Sequence, residues 1–435
     1  MNKRARFEQI DDYLEQFAQQ SDSSFTEFRQ QAAAALQQYG FPGLKTEDWK
    51  YTNVKPLLKQ VYPTASDKSI SKQQIDALIL EDANQLVFVN GFYHEELSNF
   101  IDDNFIILPI CEAYKEHQSL VKNYFATAVP MQQTGFTALN TLLFKNGYFL
   151  QIKATPKYPL HILHISTDLK EEAIHSRNLL LLEKNVVVNI VEQYVSLSVK
   201  NNYWCNSISE IFLLDNSQLN YYKLQAETLQ AQHTNFIAVK QARDSIFNSF
   251  NFDFGAKLVR NDLQATLQAP GASCDFSGLY LTRGQQHVDN HTMVDHAQQH
   301  TYSHEYYKGI LADESRAVFN GRILVRQDAQ KIHSEQKNDN LLLSNKAEID
   351  TKPELEIYAN DVICAHGATV GQLNEKSIFY LQARGLDENL ARKLLTYGFA
   401  YEVLEKIKDE NIRSFITQHL AVWFANDQWL QELVQ

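Results

Sequence analysis

Residues 209–225, SEIFLLDNSQLNYYKLQ, contain an apolar strand, a polar turn at Asn216-Ser217 and a second, partly alternating strand. Comparable turns recur downstream at steps of 28, 26, 43 and 31 residues, beginning at Asn216, Asp244, Pro270, Asp313 and Ser344. Several of these steps suit one coil of a solenoid. Stacked coils of a parallel β-helix would share one continuous core. A β-sandwich or a cupin-like barrel would contain similar strands, so the repeat leaves these alternatives open.

The flanking sequence predicts three regions: a helical or mixed region at 1–135, a β-helix core at 136–380 and a helical region at 381–435. Apolar or β-branched segments follow one another in the core region, at 160–166, 178–183, 185–194, 209–215 and 236–241. No convincing amphipathic helix separates them, which argues against a doubly wound parallel sheet. We therefore predict a mainly β protein with helical flanks.

Short motifs place elements within the first region. Helical periodicity predicts two helices in the first 40 residues, and Ser24 with Glu27 predicts a capping box at the second. Asn90-Gly91 and Asn146-Gly147 are typical of hairpin turns. Residues 111–127 favour a further helix.

The last region is predicted to contain two amphipathic helices. Asp387 is the expected N-cap of the first. The apolar residues of the two helices include Leu390, Leu394, Tyr397, Tyr401 and Phe415. Such helices would either cap the open end of a β body or offer a groove to a partner, and the pattern does not choose between these roles.

Charge and cysteine content limit the possible functions. The 435 residues carry a formal net charge of −12, which argues against a nucleic-acid-binding protein. Four cysteines, at 111, 205, 274 and 364, are too widely spaced for a zinc ribbon and favour a reduced, cytoplasmic setting. The N-terminus lacks the apolar core of a signal peptide, and no apolar run predicts a membrane span.

Motifs of a self-contained enzyme are missing from the sequence: there is no Walker A loop, no G-x-S-x-G and no G-x-G-x-x-G. Histidines at 287, 291, 296, 300 and 304 would suit a cupin-like metal enzyme. On extended strands the first two would share a face, and so would the last three, but the last three alone would spread along roughly 26 Å and would not converge on one ion. We interpret them as surface histidines.

The stretch 360–381, NDVICAHGATVGQLNEKSIFYL, holds the most specific chemical signal. Residues two apart on a strand share a face, so Cys364 and His366 would stand side by side. A thiolate and an imidazole bind borderline metals and take part in sulfur chemistry. A buried cysteine and a core histidine would give the same pattern, so the pair alone does not decide between a structural role and a chemical role.

Three sequence blocks resemble a known protein family: SHEYYKGILADESRAVFNGRILV, then DAQKIHSEQKNDNLLLSNKAEIDTKPELEIYANDVICAHGATVG, then SIFYLQARGL. In this order they resemble the shared core of the SufB/SufD family of iron–sulfur cluster assembly proteins. Weaker likeness reaches the EDWKYTN element near the N-terminus. Residues 364–371 match the C-[SA]-H-G-A-T-V-G motif of the SufD branch, whereas SufB members typically have an acidic residue at the position of Gly367.

The resemblance implies a right-handed parallel β-helix and a non-catalytic scaffold that works with a SufB-type homologue and a SufC-type ABC ATPase. The ATPase would bind the C-terminal helices, within about 386–435. A transient iron–sulfur cluster would form where the SufB-type and SufD-type subunits meet, close to His366 and Cys364. The chain alone is expected to pair with itself and to hold no stable cluster, because one cysteine and one histidine are too few ligands. A SufB-type paralogue and a β-helix carbohydrate-active enzyme are the alternatives.

Overall fold

The computed structural model describes residues 9–19 and 23–424. The strands of these residues are β1 (Asn84–Val89), β2 (Phe92–Tyr93), β3 (Phe105–Pro109), β4 (Tyr148–Ile152), β5 (Leu160–Ser166), β6 (Lys170–Leu182), β7 (Val187–Ser196), β8 (Asn202–Leu213), β9 (Gln218–Ala226), β10 (Gln232–Gln241), β11 (Ile246–Asp253), β12 (Leu258–Leu267), β13 (Ser273–Thr282), β14 (His287–His296), β15 (Tyr302–Leu311), β16 (Arg316–Val325), β17 (Ile332–Leu342), β18 (Glu348–Ile357) and β19 (Val362–Gly371). The helices are α1 (Ile10–Ala18), α2 (Thr26–Tyr39), α3 (Ile110–Glu116), α4 (Gln118–Tyr124), α5 (Gly135–Leu143), α6 (Glu375–Gln382), α7 (Glu388–Leu404) and α8 (Glu410–Phe424).

Successive strands alternate between two sheets, which we call the first and the second sheet. The first has the order β19-β17-β15-β13-β11-β9-β7-β5-β1-β2, and the second has the order β18-β16-β14-β12-β10-β8-β6-β4-β3. Neighbouring strands are parallel except for the pairs β1–β2 and β3–β4. The result is a parallel β-solenoid of about seven coils, so the predicted mainly β solenoid is confirmed. The sandwich and cupin-like alternatives are wrong, because their strands would be largely antiparallel.

The corners of the solenoid recur at nearly regular intervals along the sequence. Before each odd-numbered strand from β7 to β17, the chain turns through a residue with positive φ, at Asn185, Asn216, Asp244, Gly271, His300 and Lys331. These residues are 27 to 31 positions apart, which is more regular than the predicted steps. The predicted turn at Asp313 lies before an even-numbered strand, at a different corner, which produced the step of 43.

Of the two hairpin turns predicted from short motifs, one is confirmed and one is wrong. The hairpin at Asn90-Gly91 is confirmed, since both residues have positive φ and connect antiparallel β1 and β2. The hairpin at Asn146-Gly147 is wrong, because the chain there runs from α5 into β4. Gly147 serves a close approach instead: a Cβ on it would lie 2.0 Å from the carbonyl oxygen of Arg177.

The predicted capping box is also wrong. Phe25, and not Ser24, precedes the first residue of α2, and it adopts φ of 58°. Its ring is fully buried, with the rings of Phe125 and Phe144 at 4.5 and 5.2 Å. Aromatic packing therefore sets this helix start. The helix expected at 111–127 is present as α3 and α4, which are separated at His117.

Helices cover the outer faces of both sheets. Apolar residues of α1, α2 and α5 pack against β6 and β8 of the second sheet, through Ala173 and Trp204. Those of α7 and α8 pack against outward side chains of the first sheet from β7 to β17. The predicted C-terminal helices are thus confirmed, and α6 is an additional helix that the periodicity missed. Because α7 and α8 lie along a side of the solenoid, the alternative that they cap its end is wrong.

Candidate functional site

The final coil, formed by β18 and β19, is an open end of the solenoid. Each strand is the last of its sheet: β18 pairs only with β16, and β19 pairs only with β17. Within the described residues, the outer edge of each strand has no neighbouring strand. Such an edge presents unpaired backbone N–H and C=O groups and is a template for pairing with another chain.

Cys364 and His366 share the inner face of β19, as predicted from their spacing. Their register partners on β17 are Ser334 and Gln336, which are buried, whereas the alternate residue Glu335 is exposed. Cys364 is half-buried against the apolar cluster that includes Ile332. His366 is exposed, because no further coil covers this face within the described chain. The two side chains therefore line the open end of the solenoid.

The Cys364 thiol is not activated by its surroundings. Burial raises the pKa of Cys364 above its ordinary value. The resting side chain is therefore a thiol, which must lose its proton when it binds a metal ion. A metal or a cluster brought to this end would supply that driving force.

A buried polar column continues below His366. The side chain of Gln336 lies one coil beneath it, and Glu305 lies one coil further down, in register. The Gln336 amide donates a hydrogen bond to Oε2 of Glu305. Burial raises the pKa of Glu305 to about 7. Oε1 of each of these two side chains has no hydrogen-bond partner in the described chain.

Gly321 on β16 makes room for this column. A Cβ at that position would lie 1.9 Å from Nε2 of Gln336 and 3.0 Å from Oε2 of Glu305. Sequence reasoning missed both polar residues. The detectable signal was their spacing of one coil, since Glu305, Gln336 and His366 are 31 and 30 residues apart.

Exposed apolar side chains lie on the final coil and on the helix that follows it. On the final coil and its flanks, Tyr358 is 63% exposed, Ile363 is 65% exposed and Val370 is 49% exposed. Phe379 and Tyr380 of α6 are 71% and 56% exposed. Clustered exposed apolar residues of this kind mark protein-binding surfaces.

The C-terminal helices are held firmly on the first sheet. Nζ of Lys308, on β15, donates to the carbonyl oxygen of Phe399 at 3.1 Å and also contacts Glu402. Of the predicted partner-binding residues, four are half-buried and lie on α7: Leu390, Leu394, Tyr397 and Tyr401. Phe415 is 8% exposed and packs within the chain, its ring centroid 5.6 Å from that of His161.

A groove with a volume of about 610 Å³ lies between the end of the first sheet and the C-terminal helices. Its lining includes Leu342, Leu373, Arg392, Thr396 and Phe424. A second groove, of about 520 Å³, is lined by residues that include Tyr222, Phe250 and Lys406, so the helical region offers more than one opening in the described chain.

The interpretation of the clustered histidines as surface residues is partly wrong. His296 is fully buried, with its two ring nitrogens 2.8 Å from Thr301 and 2.9 Å from Ser303. His291 pairs with Asp289 in the second sheet, and His304 pairs with Asp275 in the first sheet. His287 and His291 share one face of β14, His296 faces the opposite way on the same strand, and His304 lies on β15 in the first sheet. They do not form one metal site.

Fold and site together define a β-solenoid whose open end carries a cysteine and a histidine. Family profiles agree: the SufBD core domain of the SUF iron–sulfur cluster assembly system matches residues 164–399, and the SufBD N-terminal region matches residues 4–159. The chain belongs to the SufBD family of iron–sulfur cluster assembly proteins. None of the helices in the described residues is long and apolar enough to cross a membrane.

Curated relatives cover nearly the whole chain. It is 31% identical over 417 residues to the iron–sulfur cluster assembly protein SufD of Escherichia coli, covering 94% of this chain and 96% of that protein. It is 32% identical over 412 residues to an iron–sulfur cluster assembly SufBD family protein of Synechocystis, covering 91% and 90%. SufD of Bacillus subtilis is 26% identical, covering 85% and 86%.

Proposed function

We propose that this chain is a SufD-type, non-catalytic scaffold subunit that completes a cluster-assembly site together with a SufB-type homologue. The observation that carries this proposal is the position of Cys364 and His366 on the inner face of an unpaired terminal strand. One nitrogen and one sulfur donor are too few to hold a cluster, so a second polypeptide must supply the remaining ligands. The cluster is then a transient cargo, formed in a cytoplasmic complex.

The final coil offers the means of docking. A second β-helix that pairs with its edge would satisfy exposed backbone groups and bury Ile363, Tyr358 and Val370. The partner would also cover His366, which solvent now reaches. A second copy of this chain would dock in the same way, which supports a homodimer when the chain is alone.

Loss of the His366 side chain tests the site directly. The His366→Ala variant should still bind the SufB-type subunit but should lose most of the iron and sulfide that the complex incorporates in anaerobic reconstitution. The matched control is His333→Ala, which removes an exposed histidine on β17. Normal cluster yield from a folded His366→Ala complex would contradict the assignment.

The ATPase is proposed to bind the C-terminal helices around the groove beside Leu342 and Thr396. Half-buried residues of α7, Leu390, Leu394, Tyr397 and Tyr401, would form that contact, while Phe415 supports the helices from within. Removing residues 386–435 should abolish co-purification with a SufC-type ATPase. Because this deletion also uncovers the first sheet, Arg392→Glu is the milder companion, and retained binding by both variants would exclude this surface.

A further inference from the structure

A second set of metal-binding side chains lies deep in the solenoid, away from the open end. Cys205 and His233 are register partners on the adjacent strands β8 and β10, and Glu227 directly follows β9, in the connection to β10. The potential ligand atoms of the three residues all lie within 4.8 Å of one another. Their exposed fractions are 3%, 0% and 5%.

One ring nitrogen of His233 lacks the hydrogen bond that a buried histidine usually makes. Its Nδ1 pairs with Oε2 of Glu227 at 2.7 Å, whereas its Nε2 has no hydrogen-bond partner in the described residues. The contrast is His296, also buried, whose ring nitrogens both have hydroxyl partners. A neutral imidazole has one ring nitrogen with a lone pair that can be donated to a metal ion.

The remaining donors are held in position by their neighbours. The Tyr203 hydroxyl donates to Oε1 of Glu227 at 2.6 Å, and the Gln225 amide donates to Oε2 at 2.9 Å. These hydrogen bonds orient the carboxylate and leave each oxygen a further lone pair. A cavity of about 10 Å³ borders Cys205 and Glu227, which is room for one water-sized ligand.

We propose that Cys205, Glu227 and His233 form a buried site for one divalent transition-metal ion of the Fe²⁺ or Zn²⁺ class. Sulfur, imidazole and carboxylate donors suit such borderline ions and disfavour Mg²⁺ and Ca²⁺, which prefer oxygen alone. Three protein ligands and a small cavity match a tetrahedral site whose fourth ligand is water. A thiolate and a carboxylate also balance the charge of the ion.

Binding exchanges a proton for the metal ion. Before the metal ion binds, Cys205 is a thiol, the usual state of an unbound cysteine. The S–H bond breaks as the S–metal bond forms, and the proton leaves to solvent. No electron is transferred in this step.

Cobalt(II) provides the test, because a thiolate bound to Co²⁺ gives a near-ultraviolet charge-transfer band that carboxylates and histidines do not give. Metal-free full-length protein should be titrated anaerobically with Co²⁺ both when folded and during refolding, since the site is enclosed. We expect one Co²⁺ per chain with the charge-transfer band. Absence of that band by both routes would overturn the proposal without reference to any variant.

Substitutions identify the sulfur involved. Cys205→Ser should remove the band, and His233→Gln should weaken Co²⁺ binding at least tenfold. Cys274→Ser, which changes an equally buried thiol, should keep the band, as should Cys364→Ser at the open end. A band that survives in folded Cys205→Ser but disappears in Cys364→Ser would assign the metal to the open end and refute the buried site.

Discussion

Replacing Glu305 with glutamine should make the stability of the protein less dependent on pH. Below about pH 4.5 this carboxyl is protonated in the folded and unfolded chain alike. Between pH 4.5 and the folded-state pKa of about 7, only the unfolded chain releases the proton. The free energy of unfolding therefore falls as the pH rises. The difference between the unfolded-state and folded-state pKa values corresponds to a loss of about 3 kcal/mol in the free energy of unfolding, and this loss is complete above pH 7.

The assay is urea denaturation of the wild type and of Glu305→Gln at about pH 5 and pH 8. The wild type should lose about 2.5 kcal/mol more than the variant between the two conditions, because part of the full difference is already lost at pH 5. Any constant effect of the new amide cancels in that comparison. Glu335→Gln, an exposed carboxylate on the neighbouring strand, should retain the wild-type pH dependence. Equal slopes for all three proteins would refute the reasoning that Glu305 is buried without adequate compensation.

Two other substitutions test packing. Gly321→Ala should displace Gln336 and cost about 1–3 kcal/mol, measured as a lower urea midpoint, whereas Gly367→Ala, which has open space around it, should leave the midpoint unchanged. Equal midpoints for the two variants would contradict the close packing at Gly321. Arg177→Met should destabilise the chain by about 3–5 kcal/mol, because it leaves the carboxylate of Glu210 buried without its 2.5 Å ion-pair partner. A thermal melt that matches the wild type would show that this pair is not needed.

Local patterns in the sequence were sufficient wherever the physical cause was local. The segment predicted at 160–166 is β5, and Asp387 caps α7 by accepting a hydrogen bond from the backbone N–H of Leu390 at 3.0 Å. The shared face of Cys364 and His366 followed from the two-residue period of a strand. Each of these features depends on residues within a few positions of one another.

The tertiary structure decided the features that depend on coil register. It placed Gln336 and Glu305 beneath His366, and it set Cys205 beside His233, 28 residues away. It also laid α7 and α8 along the first sheet and left the end of the solenoid open. The length of every coil determines which residues stack on one another. The coil lengths are hard to read from the sequence, because each corner tolerates several residue types with positive φ. The sequence by itself therefore established many of the strands, several of the turns and the shared face of Cys364 and His366, while only the stacking of coils revealed what lies beneath that pair.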